Sequence, residues 1–474
     1  MKTSVLALFF IIYALPFYAA SAEKEVFNIN DFGAIADGQT LNTKALQSAI
    51  DACHAESGGI VRVPAGKYVI GTIKLKSKVT LSLDYGAKLL GSTDIQDYPT
   101  KDLRPAREGQ AECLIYAEDA MDIRLEGLGV IDGRGSPEFF KKRAGPAGKD
   151  DRPRLIRFES CEKVTFSGIT YKNPAFWGIH LIDCKDVHFS AVTTRFRNNH
   201  YNNDGIDLDG CENVLIENCD IQAGDDAVCL KSSLNPCRNI IIRDCVISSN
   251  TAAIKFGTSS YGGFINIDIS NCYIHDCPMG AIKLQCVDGG RLENISISRL
   301  KMEEVGCPLF IRLGDRGSNF SRKRDAGKRP VGSIKNIHIS DIEAEVVIED
   351  REKAARAHYK KLKIDLTKGI TEKEKAKAGP IMITGIPDQY IGDVLLENIA
   401  ISYPGHGTAE NSNNVVAEDI TRYPEQYFFG VLPSWGAYIR HAKNITFKNV
   451  TLSTRNQDAR KMIILDDVEN FLHQ

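Results

Sequence analysis

Asn213-Val-Leu-Ile216, Asn239-Ile-Ile-Ile242, Asn266-Ile-Asp-Ile269 and Asn294-Ile-Ser-Ile297 are one phrase repeated at steps of 26 to 28 residues. Earlier copies stand at Lys163-Val-Thr-Phe166 and Asp186-Val-His-Phe189. Later ones stand at Asn336-Ile-His-Ile339, Asn398-Ile-Ala-Ile401 and Asn444-Ile-Thr-Phe447. Each copy is short, β-branched and followed by Gly, Asn, Asp or Ser, the pattern of a strand running into a turn. No helical pattern of about 10–15 residues separates the copies, which excludes a doubly wound α/β sheet. A repeat of this length, holding two or three short strands, buries its apolar face only by stacking on its neighbours. The period therefore predicts an all-β fold, a right-handed single-stranded parallel β-helix. A propeller blade would need about 40–45 residues. Stacking into one continuous core also lets a single domain absorb residues 23–474.

The open end of such a helix exposes sheet edges and needs a cover. Residues 42–53 supply an N-terminal capping helix: Asn42 or Thr43 can N-cap it, and Ala45, Leu46, Ala49, Ile50 and Cys53 form an apolar stripe at helical spacing. Residues 1–22 read as a signal peptide, with Lys2, an apolar run over 5–17, and Ala20 and Ala22 ahead of the cleavage point. The run is short of the ~20 residues of a spanning helix, and no second one follows. The expectation is export to the periplasm or beyond the cell, with no membrane span in the mature protein. A formal net charge of −2 argues against general binding to nucleic acid or to an anionic membrane.

Thirteen cysteines suggest a disulfide frame, but the count is odd. Cys161, Cys184, Cys211 and Cys237, and separately Cys219, Cys245 and Cys272, recur with the coil period. They read as columns of small buried residues. No Cys-x-x-Cys or His pair stands at metal spacing, so no metal or other cofactor is expected. A capped β-helix has no need to associate, which predicts a monomer. Two charged insertions, 318–330 and 349–377, read as a solvated loop and a surface helix. Alternatively the basic loop, with Arg322, Lys323, Arg324, Lys328 and Arg329, overhangs a cleft and grips an anionic chain.

Residues one period apart become spatial neighbours, about 4.8 Å apart on adjacent strands. Aligning the strand after each phrase gives the column Arg157, His180, Asp207, Cys229, Lys255, Lys283, Arg312. Beside it runs Arg154, Trp177, Asp204, Asp226, Ala252, Gly280, with Asp225 next to Asp226. Three carboxylates thus gather on two adjacent coils, with cations and an aromatic on the same face. Any one Asp can be a turn residue, but the set suits a sugar-acid site. Glycoside hydrolysis needs one carboxyl kept protonated for the leaving oxygen and a second that activates water or attacks. Neighbouring aspartates raise one another's pKa and so favour that division.

Asn202-Asn203-Asp204 followed by Gly224-Asp225-Asp226 resembles the polygalacturonase family, glycoside hydrolase family 28, which carries Asn-Thr-Asp, Gly-Asp-Asp, Gly-His-Gly and Arg-Ile-Lys on successive coils. Asp31-Phe-Gly-Ala-Ile-Ala-Asp-Gly38, with Gly58-Gly-Ile-Val-Arg-Val-Pro-Ala-Gly66, is similar to the opening coil of pectin-active β-helices. The resemblance implies an inverting, metal-free hydrolase of a pectin-type acidic polysaccharide or oligosaccharide, galacturonan or rhamnogalacturonan. It makes Asp225 the general acid, Asp204 and Asp226 the carboxylates that activate water, and Lys283 the partner of a substrate carboxylate. His180, Asn203, Asp207, Lys255, Arg312 and Trp177 are the further candidates for substrate binding.

Two positions depart from the family pattern. Thr251-Ala252-Ala253 stands where Gly-His-Gly is expected, and Ala281-Ile282-Lys283 where Arg-Ile-Lys is expected. The lost His and Arg imply a variant of altered specificity, with Lys255 and Arg312 as replacement charge. The alternatives are a lyase using Lys255 or Lys283 as base with Ca²⁺, a non-catalytic carbohydrate-binding β-helix, and a uronate epimerase. The run 422–433, followed by Arg440-His441, either lines the cleft or covers the last coil.

Overall fold

The computed structural model describes residues 25–141, 151–196, 201–317, 329–350, 352 and 370–474. The signal segment 1–22 lies outside the described residues. So does most of both charged insertions, apart from Arg329, Pro330 and residues 349, 350, 352 and 370–377. Among the described residues 32 strands join one continuous sheet that winds into a right-handed parallel β-helix.

The repeated phrase forms one face of every coil. Val164, Val187, Val214, Ile240, Ile267, Ile295 and Ile337 stand in unbroken register down that face, all in parallel pairs. The ladder then continues through Val394 to Ile445. The copy that belongs to it is Asp393-Val-Leu-Leu396, not Asn398-Ile-Ala-Ile401, which pairs with the next face through Ile342 and Ile399. The two phrases look alike in sequence because two corners of each coil use the same chemistry. Lys163, Asp186, Asn213, Asn239, Asn266, Asn294, Asn336, Asp393 and Asn444 turn the first corner with φ between 52° and 58°. Asn218, Asp244, Asn271, Asp341, Asn398 and Asn449 turn the second with φ of 53° to 55°. Asn and Asp tolerate this left-handed region better than other side chains.

The corner amides also stack on one another. Asn239 Nδ2 donates to Asn213 Oδ1 at 3.0 Å, Asn266 to Asn239 at 3.2 Å and Asn294 to Asn266 at 2.9 Å. At the second corner Asn449 donates to Asn398, and Asn398 to Asp341, each at 3.0 Å. Polar ladders outside and apolar ladders inside thus specify the same register. Inside, Phe166 and Phe189 stack with ring centroids 4.4 Å apart.

The capping helix runs over Thr43–Ala55 and buries Leu46, Ala49, Ile50 and Cys53 completely against the first coil. Asn42 precedes it, but its side chain does not cap the helix. It accepts from Ile35 N and donates to Thr40 O, each at 2.6 Å, and so ties down the preceding loop. The second insertion does contain a short helix, Glu372–Lys377, opened by a Thr371–Glu374 capping box.

All thirteen cysteines are buried free thiols. Cys211 Sγ donates to Leu181 O at 3.4 Å and Cys237 Sγ to Leu208 O at 3.2 Å. Burial pushes Cys113, Cys237, Cys286 and Cys307 up to about 12. Such thiols have little thiolate character and no access to reagent. The native protein should leave all thirteen unreacted toward a water-soluble thiol reagent, and denaturant should expose them together. Rapid labelling of any thiol in the native state would contradict this packing.

Candidate active site

Ile206–Asp209, Val228–Ser232, Ile254–Ser260 and Ile282–Cys286 lie side by side, and Asp207, Cys229, Lys255 and Lys283 stand in register across them. His180 and Arg157 continue the row toward the N-terminus. Toward the C-terminus the alignment breaks: Lys283 faces Phe310, and Arg312 faces Gln285. Counting on to the next cation overshoots the coil by two residues. Backbone bonds from Gly205 N to Asp226 O and from Ala227 N to Ala252 O, both 2.9 Å, fix the second row at the strand entrances.

Asp225 and Asp226 converge on one hydroxyl. Thr251 Oγ1 lies 3.1 Å from Asp225 Oδ1 and 2.9 Å from Asp226 Oδ1. A hydroxyl has a single proton to donate, so both contacts are hydrogen bonds only if one carboxyl brings its own. Burial first, then the charge of Asp226, pushes Asp225 up to about 6. Asp226 moves the opposite way. Burial raises it, but Lys255, 2.9 Å from its Oδ2, together with Lys283 and the Thr251 hydroxyl, outweighs burial and holds it below the usual carboxylate range. Asp204 is raised well above that range by burial, then by Asp207 and Asp225. Its Oδ1 has no protein partner among the described residues.

Asp207 is fully buried, which pushes it up to about 7 against the pull of Lys231, whose Nζ is 3.7 Å away. Lys231 escapes a column-by-column reading because it lies two residues beyond the aligned row, although that even offset from Cys229 puts it on the same face. Asp204, Asp207 and Cys229 bring ligand atoms within 4.8 Å of one another. A metal ion there would have to share the space with the Lys231 ammonium.

The aromatic candidates are packed rather than displayed. Trp177 stacks on Phe176 at 5.0 Å and meets His180 edge-on at 4.9 Å. Arg154 and Lys231 sit over its ring at 4.8 Å and 4.2 Å. Burial, then the charge of Arg154, keeps the His180 pKa well below its ordinary value, so the imidazole is neutral. Asn203 is fully buried, donates to Pro174 O at 2.8 Å and shapes the turn that carries Asp204.

Arg312 does not turn its charge toward the carboxylate cluster. Its guanidinium donates to Thr384 Oγ1 and Gly385 O at 3.1 and 3.2 Å, and to Glu418 O and Asp419 O at 2.8 and 3.0 Å. It thereby pins the segment leading into 422–433, and that run lines the site. Glu425 reaches Lys255 Nζ with Oε1 at 3.2 Å and Lys283 Nζ with Oε2 at 2.5 Å. Tyr423 Oη lies 3.3 Å from Lys255 Nζ, and Gln285 Nε2 donates to Pro424 O at 2.7 Å. Glu425 stands 142 residues from Lys283 in sequence, so no coil period points to it.

Residues 53–355 match the family model for glycosyl hydrolases family 28. The chain belongs to this family. It is therefore a glycoside hydrolase. It is 31% identical over 358 residues to a probable polygalacturonase of Vitis vinifera, covering 71% of this chain and 72% of that one. It is 26% identical over 388 residues to the exo-poly-alpha-D-galacturonosidase of Dickeya chrysanthemi, covering 68% of this chain and 63% of that one. The structure of the family 28 exopolygalacturonase of Yersinia enterocolitica overlays with a TM-score of 0.71 at 21% identity, over 95% of this chain and 78% of that one. At that identity the likeness concerns the fold.

Arg312→Ala should release the C-terminal run, because bonds to a charged donor contribute about 1.5–3 kcal/mol each. Limited trypsin digestion should then cut at Arg422 at least roughly tenfold faster than in the parent protein, through local opening. An unchanged digestion pattern would show that Arg312 does not hold this segment.

Proposed function

We propose that the chain hydrolyses the glycosidic bonds of a pectin-type acidic polysaccharide or oligosaccharide, of the galacturonan or rhamnogalacturonan kind, by a single inverting displacement. The observation that carries this reading is the adjacent pair Asp225 and Asp226, driven to opposite protonation states around one Thr251 hydroxyl. Titratable neighbours whose environments push them apart are the mark of an acid–base division of labour. The protonated Asp225 donates to the glycosidic oxygen as the C–O bond breaks. Asp226, ionised, takes a proton from the water that attacks the anomeric carbon from the opposite face. Asp204, raised well above the usual carboxylate range by burial, then by Asp207 and Asp225, orients that water.

The residues lost from the family pattern fit this division. Ala252 and Ala281 are both fully buried, so neither presents a group to substrate, and Thr251 supplies the polar contact to the carboxyl pair. The galacturonan-active names of the relatives favour an acidic substrate. A lyase reading requires a lysine free to act as base, whereas Lys255 and Lys283 are each held by carboxylates. Action on a polymer too large to enter a cell accords with export directed by residues 1–22, to the periplasm or outside.

Galacturonan and rhamnogalacturonan oligomers, incubated with and without a chelator, should yield new reducing ends and no unsaturated, ultraviolet-absorbing product. Activity depends on protonated Asp225, so the rate should be retained below pH ~6 and lost as pH rises through that value. Asp225→Asn should lower kcat by about 10²–10⁴ with the far-ultraviolet circular dichroism and the melting temperature unchanged. A near-normal rate in that variant would overturn the assignment.

A further inference from the structure

Lys283 is the one cation that the family resemblance assigns to a substrate carboxylate, and in this chain a carboxylate already occupies it. Glu425 closes on Lys283 at 2.5 Å and on Lys255 at 3.2 Å, while Lys255 also binds Asp226 at 2.9 Å. Two ammonium groups therefore face two carboxylates. The side chains of the four groups are between 1% and 8% exposed, so the set is both balanced and covered. The cover is held from outside the ion pairs as well: Gln285 grips Pro424 O, and Arg312 grips Glu418 O and Asp419 O.

A uronate entering beside these lysines would meet Glu425 and Asp226 as like charges, and neither Lys255 nor Lys283 would be left for it to bind. The position of the family's Arg, the other group that could attract it, is the buried methyl of Ala281. The acid donates to the leaving oxygen, and this proposal places the leaving sugar beside the groups packed around Asp225 on its C-terminal side. Thr251, Lys255 and Glu425 are those groups.

On this basis, and resting on the hydrolase reading above, we propose that Glu425 is a specificity-determining residue that makes the leaving-group subsite select an uncharged sugar unit. The substrate class is an acidic glycan cut where a uronosyl residue is followed by a neutral sugar or an esterified uronate. Discrimination of this kind combines removal of attraction with added repulsion against the wrong ligand.

The test uses the full mature chain and two disaccharides that share a galacturonosyl unit and differ only in the leaving residue: digalacturonate, and the same compound methyl-esterified on its reducing-end unit. The wild type should cleave the ester with at least a tenfold higher kcat/KM. Glu425→Gln frees one positive charge and should reverse or erase that preference, chiefly by lowering KM for the free acid. Equal or preferred cleavage of the free acid by the wild type overturns the proposal without any variant, whatever the fate of Glu425→Gln. A folded Glu425→Gln enzyme with the wild-type ratio overturns it too. If the wild type cleaves neither compound, nor longer galacturonan or rhamnogalacturonan, the hydrolase reading itself falls and this proposal with it.

Discussion

Everything in this molecule depends on coil-to-coil register. A parallel strand shifted by one residue would turn every inward side chain outward. Here the register is specified twice, by apolar ladders such as Val187–Val214–Ile240 inside and by amide ladders such as Asn213–Asn239–Asn266 outside. The corner asparagines do two jobs at once. Their left-handed backbone ends one strand and begins the next, and their side chains bond to the same corner of the coil below. Because corners repeat, residues far apart in sequence arrive at the same point on adjacent strands, and that is how Asp204 and Asp226 come together.

The same regularity made much of the fold legible from sequence. The period, the capping helix and the columns of buried cysteines follow from patterns that a reader can count. The misplaced Asn398 phrase and the misplaced Arg312 mark where counting fails. In the first case two corners share one sequence signature, and in the second a coil is two residues shorter than the distance to the next cation. Asp204, Asp225, Asp226, Lys255 and Lys283 lie on the periodic strands or their entrances, so alignment brings them together. Glu425 comes from a non-repeating run whose position is decided by side-chain packing, with Arg312 as one anchor. No periodicity encodes such a contact. Thr251 was visible as a departure from the family pattern, but its link to both aspartates exists only in three dimensions.

Electrostatics then divides the site. Removing several charges from water is costly unless each finds a partner. Lys255, Lys283, Asp226 and Glu425 compensate one another within a few ångströms. Asp225 lacks a direct ammonium contact in this network, and burial, then its charged neighbour, pushes it up to about 6. The proposed division of acid from base thus follows from which carboxyl the lysines reach. The neutral His180 and Trp177 pack edge-on against each other.

The most direct measurement is the anomeric configuration of the first-formed product, followed by proton NMR on an α-linked oligogalacturonide or rhamnogalacturonan oligomer before mutarotation. The proposed inverting displacement, with water attacking across from the leaving oxygen, predicts that the β-anomer appears first. Initial release of the α-anomer would mean retention through a covalent intermediate, and would contradict the assignment of Asp225 and Asp226 as acid and base of a single displacement.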